Sequence, residues 1–172
     1  MFKPAHTLAA AAFVLTSGMA SASQVDDLGP LLDGFLEGCA FSEELSIIYQ
    51  SLPGAARSGE MEDLPTAYKP LAGRPYIHQG EDEYTHWRLP LVGQWRGVLV
   101  SGLELIGIDE TGVYVAMVHF ADGPDLVGET FGDLLHRSQG ILMQDDFAAD
   151  FGHSTSTAVE NGFASIYCDL SS

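Results

Sequence analysis

The chain has little positive charge. Seven lysines and arginines stand against 24 aspartates and glutamates in 172 residues, a formal charge of −17. Such a field repels phosphate backbones and anionic lipid surfaces, which argues against nucleic acid as a partner. It favours basic partners or metal ions, or simply keeps the chain dissolved. Cysteine is scarce too: Cys39 and Cys168 stand alone, too far apart for C-x-x-C redox chemistry. Several signatures are missing altogether. There is no Gly-x-Ser-x-Gly elbow, no His-Glu-x-x-His, no Walker loop, no dinucleotide glycine fingerprint and no EF-hand loop. Catalysis from scattered residues remains open, but nothing here calls for a cofactor. No apolar run after the N-terminal segment is long enough for a bilayer.

What is present begins with an address. Residues 1–22 combine a weakly positive start at Lys3, an apolar run from Leu8 to Leu15, and Ala20-Ser21-Ala22 as a small-residue cleavage site. This pattern reads as an export signal, leaving residues 23–172 as one domain in the periplasm or secreted. Without Lys3 the mature chain has 6 basic and 24 acidic residues, a charge of −18. In an oxidising compartment Cys39 and Cys168 are expected to pair. Closing so long a loop stabilises by up to about 5 kcal/mol on the chain-entropy model. A lipid anchor at Cys39 is disfavoured, because Glu37 interrupts Leu36-Glu37-Gly38-Cys39 and no apolar segment precedes it.

The spacing of Leu28, Leu31, Leu32, Phe35, Leu36 and Cys39 predicts a helix capped by Asp26 or Asp27, weakened by Gly34 and Gly38. A second helix is expected from the Ser42 cap to about Leu52, stopped by Pro53-Gly54. Residues 55–71 read as an irregular loop. Gly97 to Ile108 and Val113 to Phe120 read as strands of a hairpin around Asp109-Glu110-Thr111-Gly112. Gly128 to Ser138 reads as a helix ended by Gly140, which places His136 near its C-terminus. His153 to Glu160 and Phe163 to Asp169 flank Asn161-Gly162, a strong hairpin signal. The expected class is α+β: a mainly antiparallel sheet with N-terminal helices and one further helix on one face, closed by one disulfide.

Composition is most unusual between Arg74 and Arg96, which holds Tyr76, Tyr84, His78, His86, Trp87, Arg88 and Trp95. If the chain reverses near Leu91, Trp87 lies opposite Trp95 and Arg88 near Gln94. Trp87, Arg88, Trp95, Arg96, Arg74 and His86 then form a candidate ligand- or partner-binding patch, since arginine and aromatic side chains are common anchors. The plainer reading puts both tryptophans in the core and lets the arginines neutralise nearby carboxylates. His78, Glu81, Glu83 and His86 approximate a metal set, but their spacing preorganises nothing and a polar loop is the nearer reading. His119, inside an apolar strand, reads as a hydrogen-bonded core or sheet-face residue. Asp145, Asp146 and Asp150 lack a calcium-loop template, and Asp150, His153 and Ser154 lack any placed nucleophile.

The function expected is therefore an exported acidic binding or accessory domain. It would act by protein contact or small-ligand capture, an inhibitor being one form, with a basic protein or a small molecule as partner. The alternatives are an exported hydrolase using residues such as His86, Glu83 or His153, and a structural, envelope-associated domain. Oligomeric state is left open.

Overall fold

The computed structural model describes residues 26–79, 84–107 and 114–171. The export signal, Glu81, Glu83 and the Asp109–Gly112 turn therefore lie outside the described residues. Among the described residues four helices, α1 (Gly29–Leu32), α2 (Glu43–Ser58), α3 (Pro124–Leu142) and α4 (Asp146–Phe151), accompany six strands. These are β1 (Tyr76–Gln79), β2 (Thr85–Trp95), β3 (Val98–Gly107), β4 (Tyr114–Phe120), β5 (Ser154–Glu160) and β6 (Phe163–Asp169). All pairings between these six strands are antiparallel, in the order β1-β2-β3-β4-β6-β5. The fold is α+β, with one disulfide between Cys39 and Cys168 whose Cα atoms are 6.0 Å apart.

The N-terminal apolar pattern is buried as its spacing requires, but not as one helix. After α1 the chain tightens into a 3-10 turn, Asp33–Leu36, and reverses through Gly38 and Cys39, both at positive φ. Gly34 explains the break: a Cβ there would lie 2.3 Å from the Ala40 carbonyl oxygen, so the returning chain occupies the space a side chain needs. Asp27 does serve the helix start, its Oδ1 accepting the Gly29 N–H at 2.9 Å.

In α2 the Ser42 hydroxyl accepts from the Leu45 N–H as a cap, and Leu45, Ile48, Tyr49 and Leu52 face inward. The expected stop at Pro53-Gly54 does not occur. The helix continues to Ser58 and ends at Gly59 in the left-handed region. Proline inside a helix costs about 3 kcal/mol. Here the extra turn buries Ala55 beside Leu52, and the Tyr49 hydroxyl pins the preceding turn to the Met117 carbonyl at 3.0 Å.

Strand β2 corrects a second expectation. It does not reverse near Leu91 but runs straight from Thr85 to Trp95, with a bulge between Pro90 and Gly93. The turn comes instead at Arg96 and Gly97, both at positive φ. Trp87 is opposite Ile77 and Leu105, Arg88 opposite Tyr76 and Glu104, and Trp95 opposite Val98. The β3–β4 and β5–β6 pairings follow the expected order, and Asn161 and Gly162, at φ 52° and 84°, make the second turn. Helix α3 starts at Pro124 and runs past Gly140 to Leu142, so His136 lies well inside it rather than at its end.

Alternation along the strands separates two sheet faces. One carries Trp87, Leu89, Trp95, Leu103, Leu105, Val118 and Ile166, all buried with α1, α2 and α3 residues in one core. At its centre the Trp95 ring packs on Phe131 at 4.6 Å and against Phe35 and Phe120 at 6.2 Å. On the other face Tyr76 is exposed and Met117 and Tyr167 are half-buried, while Glu104, His86 and Ser165 are buried.

Candidate functional site

That second face holds the site. Register places Tyr76, Arg88, Glu104, Met117 and Tyr167 in one row across β1, β2, β3, β4 and β6. A neighbouring row brings Pro90, Gly102, His119 and Ser165 together. His86 stands one alternation away from Arg88 on the same strand. Pleating thus points Glu104, Arg88, His86 and His119 to the same side, and three donors converge on a single carboxylate. His86 Nδ1 donates to Glu104 Oε1 at 2.6 Å, Arg88 Nη2 donates to Oε2 at 3.0 Å, and His119 Nε2 donates to Oε2.

The Glu104 side chain is only 1% exposed. Burial alone would push its carboxyl up; hydrogen bonds from His119, Arg88 and His86, with the charge of His119, overcome that and hold it at about 2. The buried charge is therefore matched on the spot. A carboxylate left without such partners would be strongly destabilising. Among the described residues the Arg88 Nε–H is buried and has no hydrogen-bond partner.

Above this cluster lies a concavity of about 380 Å³. Arg88 and His119 form part of its floor, with Ser101 from β3 and Ser165 from β6 beside them. Ser101 sits where the β3–β4 register shifts, between Val100 and Gly102, and the bulge leaves it exposed. The β5–β6 turn contributes Glu160, Asn161 and Phe163, and His78 contributes from β1 on the far side of the sheet order. Residues from β1, β2, β3, β4, β5 and β6 thus line one cavity.

Of the six residues expected in a binding patch, the structure brings His86 and Arg88 together and disperses the rest. Trp87 and Trp95 are 4% and 0% exposed, on the opposite face, so neither indole is a surface anchor. A continuous β2 separates them by eight residues of strand, and the hydrophobic effect takes both rings inward. The Trp95 Nε1–H is satisfied by Asp33 at 2.9 Å, and Arg96 pairs with the same carboxylate at 3.2 Å. Arg74 is exposed at the C-terminal end of α2, its guanidinium lying over Gly59.

The remaining candidates also find places. His78 and His86 are cross-strand partners with rings 6.0 Å apart, edge to face. Among the described residues no group of three or more side chains is arranged to hold a metal. Asp145 caps α4, accepting the Ala148 N–H at 3.0 Å. His153 is buried against Phe147 and Phe151 rather than poised beside a nucleophile. His119 is the sheet-face, hydrogen-bonded residue expected. Glu104 is the residue the sequence reading passed over.

No family model matches this chain, and no curated protein or solved structure does either. Chemistry must therefore be read from the geometry. With Nε2 committed to Glu104, His119 has only Nδ1 for an occupant of the cavity that it lines. A carboxylate-oriented imidazole of this kind either binds or moves a proton. Among the described residues no serine, threonine or cysteine side chain hydrogen-bonds His119, so no activated nucleophile accompanies it.

Proposed function

We propose that this chain is an exported binding domain that captures a small polar ligand in the concavity of its uncovered sheet face. One observation carries the reading: a nearly fully buried carboxylate, Glu104, holds Arg88 and His119 in fixed positions at the cavity floor. A buried ion pair is a weak source of stability. Ordering polar side chains for recognition gives the arrangement a use, since preorganised groups lose less freedom on binding. The volume of about 380 Å³ falls within the usual range for small-molecule sites. Export is supported by the leader-like residues 1–22 and by the Cys39–Cys168 disulfide, a bond that persists outside the reducing cytosol.

Protein NMR with mixed libraries of sugars, small acids and amines tests the proposal. The amides of Ser101, His119, Asn161 and Ser165 are expected to shift saturably with at least one compound. Shifts confined to other surfaces, or none with any class, would reject it.

A second reading, an exported hydrolase, draws on the His119–Glu104 pair. In it His119 would accept a proton from water, with Glu104 fixing the ring. Ester, glycoside or phosphoester hydrolysis by the purified protein, lost in His119→Gln, would favour this reading over capture alone.

A further inference from the structure

We infer that the ligand of this cavity is neutral and rich in hydroxyl groups: a mono- or disaccharide unit of a glycan. The inference rests on the binding reading above and narrows it by charge and hydrogen-bond chemistry. An anion needs a surplus of positive charge. Glu104 beneath the floor and Glu160 at the wall together balance the charges of Arg88 and His119, and the chain as a whole is strongly acidic. A cation needs free carboxylate oxygens. Both oxygens of Glu104 are engaged by donors, which leaves Glu160 alone.

What lines the rest of the cavity suits groups that donate and accept at once. The hydroxyls of Ser101 and Ser165 and the side-chain amide of Asn161 each do both, while His119 Nδ1, with Nε2–H given to Glu104, accepts when the ring is neutral and donates when it is protonated. Sugar hydroxyls have the same dual character. An apolar ligand would leave the hydroxyls and the amide without partners, at a cost for each one buried.

The cavity also has one large apolar plate. Phe163 lines it and is 64% exposed, whereas Phe35, Trp95, Phe120 and Phe131 pack on one another in the core. A pyranose presents a face of C–H groups bordered by hydroxyls. Phe163 fits that face while Asn161, Glu160 and the serines reach the border. The same combination offers little to a phosphate or a polyamine.

The test is an array of neutral glycans with NMR titration of cellobiose, maltose and di-N-acetylchitobiose, run beside inorganic phosphate, succinate and spermidine. Saturable binding of at least one neutral glycan is expected, with shifts at Asn161, Ser165 and His119 and little dependence on salt. Phe163→Ala should weaken it at least tenfold. Phe147→Ala, on α4 away from the cavity, should leave affinity unchanged in an equally folded protein. Binding of phosphate, succinate or spermidine at this cavity without any neutral glycan would overturn the ligand class while leaving the binding site standing. Silence from every probe would remove both.

Discussion

Leu103, Glu104 and Leu105 follow one another on β3, and all three are buried, yet opposite causes bury them. The leucines lie under helices, in a core closed around Trp95. Glu104 lies on the other face, screened from solvent by the side chains that donate to it. One face is stabilised by removing apolar surface from water, a term that tolerates many shapes. The other depends on a particular set of charges and donors, where loss of any partner leaves a buried group unpaired. A fold needs the first arrangement; the second asks for a further explanation, and ligand recognition is the one advanced above.

The two faces should respond to different insults. The largest effect is expected from Trp95→Ala, which empties the centre of the covered face and frees the Asp33 contact. About 3–5 kcal/mol of stability should be lost in urea denaturation. A loss below about 1 kcal/mol would mean that the core does not close around this ring.

Acid should act through the open face. The Glu104 carboxyl is depressed from 4.5 to about 2 in the folded protein. Its contribution is therefore complete above about 4.5 and disappears as pH falls through about 2. A shift of that size corresponds to roughly 3 kcal/mol. Stability followed from pH 5 to pH 2 should fall by about that much more in the wild type than in Glu104→Gln. Parallel acid limbs in the two proteins would place the acid sensitivity elsewhere.

A smaller loss is expected at Ser138, buried on α3. Its hydroxyl donates to the Phe35 carbonyl at 2.7 Å and accepts from the Gly38 N–H at 2.9 Å. Ser138→Ala should cost about 1–3 kcal/mol, as the buried Phe35 carbonyl and the half-buried Gly38 N–H lose their partner. The smallest change is expected from Phe163→Ala, within about 0.5 kcal/mol of wild type because the ring is already exposed. A large loss there would make Phe163 part of the packing and not of recognition.

The same contrast governs how much the residues announced in advance. Apolar periodicity and turn chemistry are local, so the α+β class, the β5–β6 hairpin and the Ser42-capped start of α2 were legible. Boundaries were less so. Proline at 53 forbids one backbone hydrogen bond, but cannot say that burying Ala55 will carry the helix further. Reversal near Leu91 was a reasonable reading of Pro90 and Gly93, yet together they make a bulge where Leu28 packs: a Cβ on Gly93 would lie 2.7 Å from Leu28 Cγ. The polar cluster is non-local, joining β2, β3 and β4. One signal for it was present: Glu104 is the only charge in the Val98–Gly107 run, and its alternation with Leu103 and Leu105 puts it on the face opposite theirs. Pairing that face across the hairpin would have brought it close to His119. The tryptophans misdirected the reading because large aromatic rings serve cores and binding surfaces alike.

The most direct measurement is a carbon-13 NMR titration of the Glu104 carboxyl in the folded protein. A midpoint near 2, with His86, His119 and Arg88 resonances responding in the same pH range, is the predicted result. Titration at 4.5 or above would mean that the three donors do not hold this carboxylate, and the preorganised floor of the cavity would not exist.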